Sequence, residues 1–118
     1  MENLIEKYKD RLPESYLKFI SENKKFSGYL DDEFGNVMLW DIQELNDAWR
    51  DLGIGENLGT GWFPIGSNGG GEMIVIELAS SAKELFYIPF IPLSEECADF
   101  YCEDFSTLYD AIKKLPSK

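Results

Sequence analysis

Histidine is absent from this 118-residue chain, and cysteine occurs only twice. Without histidine there is no imidazole to serve as a base or to bind a metal at neutral pH. A tetrahedral zinc site would need carboxylates to complete it, so zinc is excluded. Cys97 and Cys102 form a C-x4-C spacing, not the CxxC of redox centres. Small secreted domains held by disulfides use four or more cysteines, so two reduced thiols are expected here. Bases are scarce as well. Between Phe26 and Ile112 the only ones are Arg50 and Lys83. No apolar run reaches the length of a membrane span. Residues 1–10 are charged and amphipathic and lack a signal-peptide core. Cytoplasmic residence, with no membrane partner, is expected.

Apolar residues make up 44% of the chain and aromatics 14%, the composition of a globular protein. The length fits one domain, 1–118, with a core of its own. The net charge is −11, unevenly placed. Residues 1–25 carry +1, and residues 26–118 carry −12. Such a surface repels phosphate backbones, so nucleic acid is excluded as a ligand. It attracts a basic protein and speeds the encounter, although charge of this size also keeps a protein in solution.

Apolar spacing predicts helices over 2–10 and 13–23, broken at Leu12-Pro13, with Tyr16, Leu17, Phe19 and Ile20 as the buried stripe and Lys24 at the far end. A hairpin follows, with strands 27–30 and 37–40 around a polar turn at 31–36. Asp41 and Glu44 form a capping box for a helix over 42–52, closed by Gly53. Residues 54–61, with three glycines and no period, read as a loop. Strands are predicted at 62–66, 72–78 and 84–88, with Pro89 and Pro92 breaking regular structure beyond. Segment 95–102 carries no decisive signal between a short helix and an irregular strand. Asp104 caps a last helix, whose buried face holds Phe105, Leu108, Ala111, Ile112 and Leu115. Adjacent strands, with helices towards the ends, give an α+β fold with a mainly antiparallel sheet.

The glycine run Gly66-Ser67-Asn68-Gly69-Gly70-Gly71 lacks the following lysine and helix of a phosphate loop, so it reads as a structural turn. The two thiols lie among Glu95, Glu96, Asp99, Glu103 and Asp104, whose charge raises a thiol pKa and quenches its reactivity. No G-x-S-x-G elbow is present. No acid pair stands out for glycoside chemistry. Asp31-Asp32-Glu33 with Asn36 does not match a calcium loop. No catalytic, cofactor or metal residue emerges. Tyr29, Phe34, Trp62, Phe90 and Tyr101 neighbour turns or acids, the setting of a binding hot spot, although core packing accounts for each taken singly.

Four segments in order resemble the SMI1/KNR4 family of the SUKH superfamily. Leu12-Pro13-Glu14-Ser15-Tyr16-Leu17-Lys18-Phe19-Ile20 is similar to its opening LP-x-x-Y-x-x-F helix. Val37-Met38-Leu39-Trp40-Asp41-Ile42 resembles its strand-to-helix step. Phe63-Pro64-Ile65-Gly66, leading through the glycines to Glu72, is similar to its glycine signature. Asp104-Phe105-Ser106-Thr107-Leu108-Tyr109 resembles its closing helix, with Asp for Ser at the cap. The resemblance implies a strongly curved sheet with flanking helices, no enzymatic activity and no cofactor. It also implies either an immunity protein that neutralises a cognate toxin, often a nuclease, or a regulatory scaffold. A basic toxin would meet Asp31, Asp32 and Glu33 together with Glu95, Glu96, Asp99, Tyr101, Glu103 and Asp104. A monomer or weak homodimer is expected.

Overall fold

In the computed structural model, which describes residues 4–22, 25–32, 34–59, 61–79, 81–90 and 95–114, Leu12 and Pro13 break the N-terminal region into two helices. Helix α1 (Leu4–Tyr8) runs into a 3-10 turn at Lys9–Arg11. Pro13, extended at φ −63° and ψ 146°, precedes α2 (Glu14–Ser21). A proline there costs no hydrogen bond, because the first amides of a helix have no partner within it. Tyr16, Phe19 and Ile20 are the buried face of α2. Lys24, Leu115, Pro92 and Glu33 lie outside the described residues.

Six strands follow in chain order: β1 (Phe26–Tyr29), β2 (Asn36–Leu39), β3 (Trp62–Ser67), β4 (Glu72–Glu77), β5 (Leu85–Pro89) and β6 (Asp99–Cys102). Each pairs antiparallel with the next, so the sheet is a meander. Between β2 and β3 stand α3 (Ile42–Leu52) and α4 (Ile54–Leu58), and α5 (Phe105–Lys113) closes the chain. The fold is α+β with a curled antiparallel sheet.

Leu39, Phe63, Ile74, Ile76 and Leu85 pack with α1, α2 and α5 in the larger core cluster. Phe105 of α5 meets the Tyr16 ring edge-on, centroids 5.2 Å apart, which docks the last helix on α2. Met73, Val75 and Ile88 pack with Ile54 and Leu58 of α4 in a second cluster. Strand β4 is therefore buried on both faces, which accounts for its unbroken apolar run. Each fully buried side chain of this size contributes about 1.5–3 kcal/mol of transfer free energy.

Helix α4 corrects the loop expected over 54–61. Ile54 and Leu58 are four residues apart on one helical face and both are buried. Gly53, left-handed at φ 60°, caps α3 and leads directly into α4. Glycine lowers helix propensity, and here burial of two side chains overrides it. Segment 95–102, open on sequence, resolves into a 3-10 turn at Glu95–Cys97 and the strand β6.

The glycine run is a turn between β3 and β4. Asn68 organises it: its Oδ1 accepts from the Gly70 and Glu72 amides at 2.8 and 3.3 Å. Gly69 and Gly71 hold φ of 76° and 94°, where a side chain would be strained. Gly66 serves a different need. A β-carbon there would lie 2.1 Å from the Met38 carbonyl oxygen, so only glycine lets β3 approach β2.

Candidate partner-binding surface

The turn between β1 and β2 is built by Asp31. Its carbonyl accepts the Gly35 amide at 2.8 Å, and its carboxylate accepts the Phe34 amide at 2.8 Å. The Tyr29 hydroxyl donates to the Asp32 carboxylate. Thus fixed, Phe34 meets β6, at the other end of the strand order. The Tyr101 hydroxyl donates to the Phe34 carbonyl at 2.9 Å, and the two rings meet edge-on with centroids 6.1 Å apart. Since β1 and β6 are the two outer strands, this contact is where the curl brings the sheet back towards itself.

Tyr101 is also fixed from behind by the Tyr87 ring, centroids 4.4 Å apart. Burial, then Tyr87, pushes the Tyr101 hydroxyl far above the ordinary phenol range. It therefore keeps its proton and remains a donor to Phe34.

Beside this contact lies a groove made of two adjoining depressions that share Phe34 and Thr107. The first, about 290 Å³, is lined by these two with Phe100, Tyr101, Cys102 and Glu103. The second, about 500 Å³, adds Leu30, Asp31, Asp110, Ala111 and Lys114. Cys102 is buried and Phe34 and Tyr101 are half-buried, whereas Asp31, Glu103 and Asp110 are exposed. The result is a mixed lining: aromatic rings dominate the first depression, and acids, Thr107 and Lys114 share the second with Leu30, Phe34 and Ala111.

The structure thus brings Asp31, Tyr101 and Glu103 to one groove, although 69 residues of chain separate Asp31 from Tyr101. Asp32 is exposed next to Asp31. Asp104 is the N-cap of α5. Its carboxylate accepts from the Thr107 amide at 2.9 Å, the Thr107 hydroxyl at 2.9 Å and the Ser106 hydroxyl at 2.8 Å. The Thr107 amide chiefly holds its pKa below the usual carboxylate range, against some desolvation. Glu96 and Asp99 are exposed but do not line the groove, and Asp99 sits opposite Tyr87 at the start of β6. Glu33 and the Glu95 side chain lie outside the described residues.

Phe100 and Asp110 belong to the groove without having been singled out on sequence. Phe100 is 58% exposed, the most exposed large apolar side chain among the described residues, and its ring meets Phe86 edge-on at 5.8 Å. The burial of β6 does not alternate, Asp99 and Phe100 both being exposed, so no sequence signal marked Phe100. Asp110 pairs with Lys113 at 3.4 Å, both exposed, a contact of little energetic weight.

Both cysteines are free. Burial, above all, raises the Cys102 thiol pKa, and the thiol donates to the Asp104 carbonyl at 3.3 Å, so Cys102 is a poor nucleophile. Among the described residues no helix is long and apolar enough to cross a membrane.

The model of the SMI1 / KNR4 family (SUKH-1) matches residues 2–111. The chain belongs to that family. No curated protein matches it closely. In this SMI1/KNR4 chain the resembling motifs are architectural. Tyr16 and Phe19 fill the core, Gly66 allows the β2–β3 approach, and Asp104 caps α5. The groove is lined mostly by residues outside those motifs.

Proposed function

We propose that this SMI1/KNR4 protein is a non-enzymatic binding domain of the immunity type, which neutralises a basic toxin protein through its acidic groove. The observation that carries the reading is the meeting of two distant acidic segments around one aromatic-lined groove. Residues 26–118, which supply every lining residue, carry a net charge of −12. A nuclease toxin offers the opposite charge, because the lysines and arginines that hold its nucleic acid are what an acidic surface can cover. An aromatic centre with a charged rim is the anatomy of a protein interface. The toxin would be met in the cytoplasm by a monomer, since like charge opposes self-association.

The test is to co-express the protein with a basic nuclease-toxin domain, if one is encoded beside its gene, and to measure whether the two co-purify and toxicity is suppressed. Suppression without a complex, or no effect on the toxin, would turn the reading towards a regulatory scaffold.

A further inference from the structure

We propose that the groove takes an arginine side chain presented by the partner, an inference that rests on the binding reading above. The chemistry of the lining selects the occupant. Phe34 and Phe100 offer aromatic faces and edges, and Phe100 is already exposed. Asp31 and Asp110 line one depression and Glu103 the other, so acids stand in both parts of the groove and not at one point. A guanidinium is flat, stacks on aromatic rings and spreads five donors in a plane. A lysine ammonium concentrates three donors at one point and is more strongly hydrated, which suits this lining less well.

The slot is also prepared before binding. The Asp31 carboxylate is oriented by the Phe34 amide, and Tyr101 ties the Phe34 backbone to β6. Lys114 lines the same depression as Asp31 and Asp110 and lowers the negative potential there. The guanidinium is therefore placed on the Glu103 side of the groove, with its stem against Phe34 and Phe100.

The test uses short peptides and needs no toxin. Gly-Arg-Gly, Gly-Lys-Gly and Gly-citrulline-Gly, amidated and acetylated, are titrated against the full chain at low salt and followed by amide chemical shifts. The arginine peptide is expected to shift the amides of Phe34, Phe100 and Glu103. It should bind at least threefold more tightly than the lysine peptide, while the citrulline peptide produces no saturable change. Glu103→Gln and Phe100→Ala, both exposed and tolerable to the fold, should each weaken arginine binding at least threefold, and Glu56→Gln should leave it unchanged. Equal binding of the arginine and lysine peptides, or shifts centred elsewhere, would overturn the proposal. Such a failure leaves toxin neutralisation standing, because that reading depends on the complex and not on one side chain.

Discussion

At Gly66 the fold depends on a missing atom. A β-carbon there would meet the Met38 carbonyl at 2.1 Å, and the backbone on both sides is held by pairing. Gly66→Ala should cost at least about 3 kcal/mol, measured as a shift in urea midpoint, because neither strand can yield without losing its neighbour. Gly69→Ala and Gly71→Ala should each cost about 1–2 kcal/mol for the strained φ. Gly70→Ala should cost far less, since its φ is not in that region and a β-carbon finds only ordinary contacts. A Gly66→Ala protein as stable as Gly70→Ala would refute the close-approach account. The sequence marks all these glycines as a structural turn. It does not separate the one needed for space from the two needed for φ, because that distinction depends on a strand 28 residues away.

Asp104 is legible as a cap for a local reason, its place directly before the apolar-periodic run that begins at Phe105. Its folded-state pKa is lowered, so its contribution is present above the unfolded carboxylate pKa of about 3.9 and is lost as pH falls through the folded value. Asp104→Ala should cost about 1 kcal/mol at pH 7 in thermal or urea unfolding. The gap between variant and parent should narrow as pH falls below the unfolded carboxylate pKa. A gap independent of pH would show that the charge on Asp104 plays no part in the cap.

Among the elements, those fixed by local pattern were readable and those fixed by burial were not. The Asp41–Glu44 capping box is present in both directions, at 2.9 and 3.2 Å, and α3 runs Ile42–Leu52 as its apolar spacing predicts. Helix α4 escaped because Gly55 within it and the glycines that flank it mask a period of only two buried side chains. Strand β6 escaped because half its residues are acids or face solvent, so no alternation stands out. The turn at 31–36 was legible as a turn, but its attachment to β6 was not. That attachment combines the Tyr101 hydroxyl bond with the edge-on contact of the Phe34 and Tyr101 rings. Tyr101→Phe should lower stability by about 1 kcal/mol, leaving the Phe34 carbonyl without its donor. It should also speed hydrogen exchange in the turn before it affects β4. Unchanged exchange at Phe34 and Gly35 would mean that ring packing alone holds the turn.

At the scale of the whole molecule, the curl of the sheet makes the groove. Asp31 and Glu103 each look like solvated surface charge in sequence, and each segment alone is a poor binding site. Antiparallel pairing of six strands in chain order, with the twist natural to such sheets, carries β6 round to the first turn. The sequence named Asp31, Tyr101 and Glu103 but could not place them together, and it passed over Phe100. Family membership fixes the architecture, whereas the groove, Thr107 apart, is lined by side chains that the shared motifs do not contain.

The most direct measurement is the affinity of the protein for the basic toxin proposed as its partner, at two ionic strengths, with the groove charge reversed. Asp31→Lys with Glu103→Lys should weaken binding about 100-fold or more at low salt, as expected for two reversed interface charges, and the parent's affinity should fall as salt rises. Asp10→Lys with Glu56→Lys, the same charge change at exposed acids that do not line the groove, should alter affinity by no more than about threefold, as is usual for charges outside an interface. Equal losses from both pairs would reduce the effect to net charge, and no loss from the groove pair would place the interface elsewhere.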